Sequence, residues 1–288
     1  MLPTVWMGLV QRPNLLDLTV RFPGTRFPRP TLVVPPIPKL VSLKLTDIDP
    51  LCYPDDVSLL LLGSKNLRAL KMHWSSRMRE AREPSVHLSS YFGRCVAMKY
   101  KLPLKILAFH NLYAQHDSVV HDLLDTTVEE FTMINSATGA GDSADMSFID
   151  YSWRTSPPNT LPPFKMIRDD KISTTHCSLL GRLKGLERYY LITGRKLKAM
   201  NIDSSTESTP ANPCAVSVQS PATPDTPADP SLVSLGASYL DNIFKGHGST
   251  LRHLLLKPQW RLSSAEIARL VHSCPALEQL VSFRIHHA

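Results

Sequence analysis

The sequence predicts an α/β solenoid of irregular repeats, with short parallel strands on a concave face and helices or loops on the convex face. Three observations carry this expectation: a recurring apolar triplet, a turn-forming lead-in before most copies, and helix-like segments in the intervals. The triplet reads apolar, two residues, apolar, one residue, apolar. It starts at Leu15, Leu40, Leu67, Leu104, Val128, Leu186, Leu251 and Leu277, with Ser282 breaking the last position of the final copy. Successive starts are 25, 27, 37, 24, 58, 65 and 26 residues apart. Most of these spacings fall in or near the roughly 20–29 residues of a leucine-rich repeat, so the expected architecture is an irregular leucine-rich-repeat solenoid.

The alternating half of each triplet is the signature of a strand with one buried face. These halves are Leu18 and Val20, Leu43 and Leu45, Leu70 and Met72, Leu107 and Phe109, Phe131 and Met133, Tyr189 and Leu191, and Leu254 and Leu256. One such unit cannot bury its own apolar face, so neighbours must stack. The lead-ins Pro13-Asn14, Pro38-Lys39, Lys65-Asn66, Pro103, Ser249-Thr250 and Pro275-Ala276 place turn formers directly before the first apolar residue. Helices are expected over 54–66, 117–125, 231–248 and 263–275. In the last of these Ser263 or Ser264 caps the start, Ile267, Leu270 and Val271 follow helical spacing, and Pro275 stops it.

The pattern divides the chain into a solenoid block over 1–202, an insertion over 203–231, and a continuation of the solenoid over 232–288. Within the first block, 134–180 is degenerate and loop-rich, with room for one degenerate repeat. The insertion is rich in Ser, Thr and Pro, has no Lys or Arg, and is expected to be disordered. Its Asp203, Glu207, Asp225 and Asp229 sum to −4, which leaves +11 on the remainder of a chain whose net charge is +7. Thr209-Pro210, Ser220-Pro221, Thr223-Pro224 and Thr226-Pro227 are candidate sites for proline-directed phosphorylation.

The 288 residues, 43% hydrophobic, suffice for a sizeable core. Five well-separated cysteines without a CxxC pair argue against a disulfide framework or a zinc site. With no long apolar run and no signal-like start, the expectation is a reducing compartment, cytoplasmic or nuclear, and no membrane. No catalytic constellation emerges: GxSxG and HExxH are absent, and Thr138–Asp142 lacks the frame of a phosphate cradle. His110, His116 and His121 are not spaced as ligands on one helix face. The chain therefore reads as a non-enzyme with no metal and no cofactor. The basic stretch Lys65, Arg68, Lys71, Arg77, Arg79 and Arg82 is broken by Glu80 and Glu83, which disfavours nucleic acid as the partner. Trp74 beside it could stack on a base, although packing against the repeats is the expectation.

The segments NLLDLTV, PKLVSLKLTDI, KNLRALKM, STLRHLLL and ARLVHSCPALEQL resemble the repeat region of filamentous-fungal F-box and leucine-rich-repeat proteins. The resemblance implies a protein-interaction module that holds a substrate for a ubiquitin ligase. A Skp1-type adaptor would bind only through an F-box upstream, because MLPTVWMGLVQRPNLL reads as running straight into the first strand. A stand-alone scaffold unrelated to ubiquitin is the alternative, with a nucleic-acid-binding repeat behind it. The Asn or Cys that follows the strand in regular repeats is replaced by Ile48, Leu112 and Gln259, so no asparagine ladder is expected.

In a solenoid the residues between the buried strand positions face the concave side. One row is then Thr19, Lys44, Lys71, Ala108, Thr132, Tyr190, Leu255 and Val281; the flanking row is Arg21, Thr46, His73, His110, Ile134, Ile192, Lys257 and Phe283. The expected contacts to a protein partner with an acidic, partly apolar surface are Arg21, Lys44, Lys71, His73, His110, Tyr190 and Lys257.

Overall fold

The structure, a computed structural model, describes residues 3–22, 35–48, 54–81, 84–115, 127–135, 161–192, 230–256, 262–281 and 285–286. It is α/β. Nine strands form one parallel sheet: β1 (Asp17–Arg21), β2 (Ser42–Ile48), β3 (Ala69–Trp74), β4 (Ile106–His110), β5 (Glu130–Ile134), β6 (Met166–Asp169), β7 (Arg188–Leu191), β8 (His253–Leu255) and β9 (Gln279–Val281). Their order across the sheet is their order in the chain.

The register places equivalent residues side by side. Leu18, Leu43, Leu70, Leu107, Phe131, Ile167, Tyr189, Leu254 and Leu280 form one continuous row through the interior. The residue that opens each triplet packs below this row, and Leu40, Leu67, Leu104, Val128, Leu186 and Leu251 are all inaccessible or nearly so. Full burial of each such side chain contributes roughly 1.5–3 kcal/mol, so the stack is held by a repeated hydrophobic increment. Trp74, Phe109, Phe131 and Phe164 extend it as a chain of edge-on and tilted rings about 6 Å apart. Trp74 is therefore core, sealed at 2% exposure, and unable to stack on a base.

The helices cover the other side of this core. α1 (Pro3–Val10) is a departure from expectation: the N-terminal segment forms a helix before β1. Its proline sits in the first turn, where a missing N–H costs nothing, and Trp6 is 2% exposed as part of the hydrophobic core. α2 (Pro54–Gly63) ends against Pro36, whose Cβ would lie 2.1 Å from any Cβ added at Gly63, so only glycine fits there. The 37-residue interval before β4 is long because it holds a short helix Arg77–Glu80, a 3-10 turn Leu88–Phe92 and a short helix Gly93–Ala97. The helix expected over 117–125 lies outside the described residues.

The degenerate stretch contains β6 and, after it, α3 (Thr174–Arg182) capped by the Ser173 hydroxyl, which accepts from the His176 N–H. Phe164 and Ile167 continue the triplet pattern, but Asp169 stands in its third, buried place. The carboxylate is matched by His176 Nδ1 of α3, also buried. Asp169 Oδ1 further accepts the N–H groups of Asp170 and Lys171 at 2.8 and 3.1 Å.

α4 (Pro230–His247) follows the insertion, whose residues 203–229 lie outside the described part and whose last two open the helix. It packs on α3 as the next unit would. The Tyr239 hydroxyl donates to Ser173 O and accepts from Ser173 N–H, and Asn242 Nδ2 donates to Cys177 O. The buried His247 ring accepts the Leu186 N–H at Nδ1 and donates from Nε2 to Leu180 O. α5 (Ser264–Ser273) carries a capping box between Ser263 and Glu266 and ends before Pro275. Cys95, Cys177 and Cys274 are buried free thiols. Among the described residues no helix is long and apolar enough to cross a membrane.

Candidate partner-binding face

Because successive strand residues point to opposite faces, the residues between the buried positions lie on the side of the sheet away from the helices. The register aligns Thr19, Lys44, Lys71, Ala108, Thr132, Arg168, Tyr190, Leu255 and Val281 in one row. Lys44 and Lys71 are neighbours on β2 and β3. Ala108 and Thr132 then form a low floor, only 4% and 8% exposed. Arg168 rises beyond them on β6, and its guanidinium carbon stands 5.2 Å from the centre of the Tyr190 ring. The Tyr190 hydroxyl in turn is 2.9 Å from His253 Nδ1.

The flanking row brings His73 and His110 together, with ring centroids 4.0 Å apart and planes tilted by 34°. Burial pushes His110 down to about 4, aided by His73, Lys44, Arg168 and Lys71. His73 is lowered by burial and by Lys44 and Lys71, against an opposing pull from Asp47. At neutral pH the two imidazoles are thus uncharged polar groups set among three fixed cations. Towards β2 the row is interrupted by a bulge between Leu45 and Ile48, with Asp47 in the left-handed region at φ 56°.

Of the expected contacts, Lys44, Lys71, His73 and His110 converge on one patch, and Tyr190 joins it through Arg168. Arg21 stands apart at the sheet edge, with Nε 2.6 Å from Asp47 Oδ2, so its charge is already answered. Lys257 lies outside the described residues. Arg168 was not among the expected contacts, because Asp169 in the third position hides the triplet of β6. Pro162-Pro163 ahead of Phe164, three residues before Ile167, was the available signal.

A second feature escapes the sequence pattern. The residue before each strand stacks on its counterpart in the next, giving Arg68, Lys105, Glu129, Lys165, Glu187, Arg252 and Glu278, joined by backbone hydrogen bonds of 2.7–2.9 Å. From Lys105 onward the sign alternates. Glu129 bridges Lys105 and Lys165 at 2.6 and 2.7 Å, and these two hydrogen bonds hold its carboxyl down to about 2. A two-step side-chain ladder also exists where none was expected: Asn135 Oδ1 accepts the Leu112 N–H, and Asp170 Oδ2 accepts the Asn135 N–H. Asn135 sits one position and Asp170 two positions before the regular asparagine place, which is why the residue type at that place did not reveal them.

Among its described side chains the basic stretch does not form a continuous patch. Lys65 lies over the Tyr100 ring at 3.6 Å, Arg68 donates to Pro103 O, and Arg77 Nε donates to Ser75 Oγ, which leaves Lys71 facing the sheet surface. Among the described residues no group of three or more His, Cys, Asp or Glu side chains is arranged to hold a metal. His116, His121 and the Thr138–Asp142 loop lie outside those residues. No protein-family model and no curated protein matches the chain.

Proposed function

We propose that this chain is a protein-interaction module: an irregular leucine-rich-repeat solenoid that receives a partner protein on the helix-free face of its sheet, as the substrate-recognition region of an F-box-type ubiquitin ligase. The observation that carries the reading is the aligned row itself. Lys44, Lys71 and Arg168 flank the low floor of Ala108 and Thr132 on a regular scaffold. Complementary charge of this kind steers encounter and fixes orientation, while aromatic edges such as Tyr190 supply anchoring area. In-order parallel strands at repeat-like spacing support the solenoid reading. The link to ubiquitin rests on the resemblance of the repeat segments alone.

The test places a photo-crosslinking residue at Thr132 and, separately, at exposed Thr174 on α3. A partner crosslinked from Thr132 and lost in K44E/K71E, with no capture from Thr174, supports the face. Capture indifferent to the charge reversal removes it. Co-purification of a Skp1-type adaptor and a cullin with the full-length gene product tests the ligase assignment separately.

A further inference from the structure

We infer that the occupant of this face is an extended Asp/Glu-rich protein segment, and that its capture draws protons onto the His73–His110 pair, so that binding tightens as pH falls. The inference rests on the proposed use of the face for a protein partner and adds the partner's chemistry and its control.

The geometry requires an elongated ligand. From Lys44 on β2 to Tyr190 on β7 the row crosses five strand gaps, roughly 24 Å at about 4.8 Å each, which an extended segment of about seven residues covers. The three cations along it are not neutralised from within the row. Glu130 is bound to Arg188 at 2.7 Å, Asp47 is held by Arg21, and Asp170 accepts the Asn135 N–H. An acidic segment supplies the missing countercharge, and an apolar residue within it can rest on Ala108 and Thr132.

The histidines couple this to protons. His110 is faced by His73 and Lys71 from β3, Lys44 from β2, and Arg168 from β6; Asp47 acts on His73 from the bulge. With cations dominant, the free face repels a further proton. Carboxylates laid across Lys71 and Arg168 reverse the local field and favour the imidazolium forms. Any group that binds protons more tightly in the complex makes affinity rise with acidity. Lysine and arginine titrate far above this range and exposed carboxylates below it, so between pH 8 and 5.5 the histidines are the groups of this patch that respond.

The experiment uses fluorescence anisotropy of the full chain with a labelled Asp/Glu-rich peptide of ten residues containing one leucine, its Asn/Gln counterpart, and a single-stranded oligonucleotide of equal charge. The expected result is peptide binding that tightens about fourfold per histidine from pH 8 to pH 6, no binding of the amide peptide, and weaker oligonucleotide binding. Calorimetry of the unmutated protein in phosphate and in Tris should show net proton uptake. H73Q/H110Q should bind the peptide at pH 8 but lose the pH response, with folding checked by circular dichroism. Peptide binding without proton uptake overturns the coupling while leaving the acidic occupant. No peptide binding at any pH, or preference for the oligonucleotide, overturns the occupant and leaves the protein-partner reading to its crosslinking test.

Discussion

Asp169 and His176 meet inside the core, where the third triplet position of β6 is not apolar. The pair joins β6 to α3 and stands where every earlier strand places Val, Leu, Met or Phe. Removing one partner of a buried pair strands the other without water, whereas replacing both with apolar residues can be neutral. Asp169→Ala is expected to cost about 3 kcal/mol or more, and Asp169→Leu with His176→Leu to recover most of it, both measured by urea unfolding. Equal losses in the single and double variants would falsify the pairing as a stabilising unit.

His247 binds Leu186 N–H and Leu180 O through its two ring nitrogens, an arrangement that only the neutral ring satisfies. Burial lowers its proton affinity. The unfolded imidazole takes a proton near about 6.5, which the folded one resists. Its contribution to stability is therefore complete above that pH and declines as pH falls below it. The melting temperature should drop between pH 7.5 and 5.5, and the drop should be shallower in His247→Gln. Depressed His73 and His110 add slope of the same sign, so the variant flattens the profile without abolishing it.

Much of the sheet is legible because its chemistry is periodic. A triplet that buries three side chains per unit writes itself into the sequence, and the register rows follow from the same count. What is not legible has specific causes. β6 is hidden because a buried Asp169–His176 pair substitutes for an apolar residue, and with it Arg168 is lost from the face. α1 is hidden because a segment of high apolar content near β1 carries no distinctive period. The charge ladder through Glu129 depends on which lead-in residues become neighbours, which spacings of unequal length do not disclose.

That ladder gives an acid-dependent prediction. Glu129 titrates near 2 because Lys105 and Lys165 both donate to it, so its stabilisation is present above the ordinary carboxylate range and is lost as pH falls through the folded value. Glu129→Gln should lower the melting temperature at pH 6, and the gap from the parent protein should narrow below pH 4. Added salt should shrink it as well, since both bridges are partly exposed.

At the far end of the stack, the capping box of α5 satisfies two backbone groups at once, with Ser263 Oγ accepting from Glu266 N–H and Glu266 Oε2 accepting from Ser263 N–H. Ser263→Ala is expected to cost about 1 kcal/mol. Hydrogen exchange should show the loss first in the α5 amides; uniform acceleration across all nine strands would mean that the cap supports the whole stack.

Arg21 and Arg168 offer a comparison in which charge type is matched but row and local pairing differ. Both project from the sheet face, yet Arg21 is held by Asp47 on the edge of the sheet while Arg168 stands over Tyr190 beside the Ala108–Thr132 floor. An exposed ion pair contributes little on its own, and an arginine whose charge is already answered has little left to offer a ligand. Charge reversal at Arg168 places an anion where an acidic segment must lie and should weaken its binding about tenfold or more, which corresponds to about 1.4 kcal/mol. Arg21→Glu should change the same affinity by less than about twofold, because it acts from the edge and screening by salt attenuates it across the width of the sheet. Anisotropy titrations of the two variants at equal ionic strength decide the matter: equal effects mean that net charge alone governs capture, and only an asymmetry favouring Arg168 assigns it to the centre of the row.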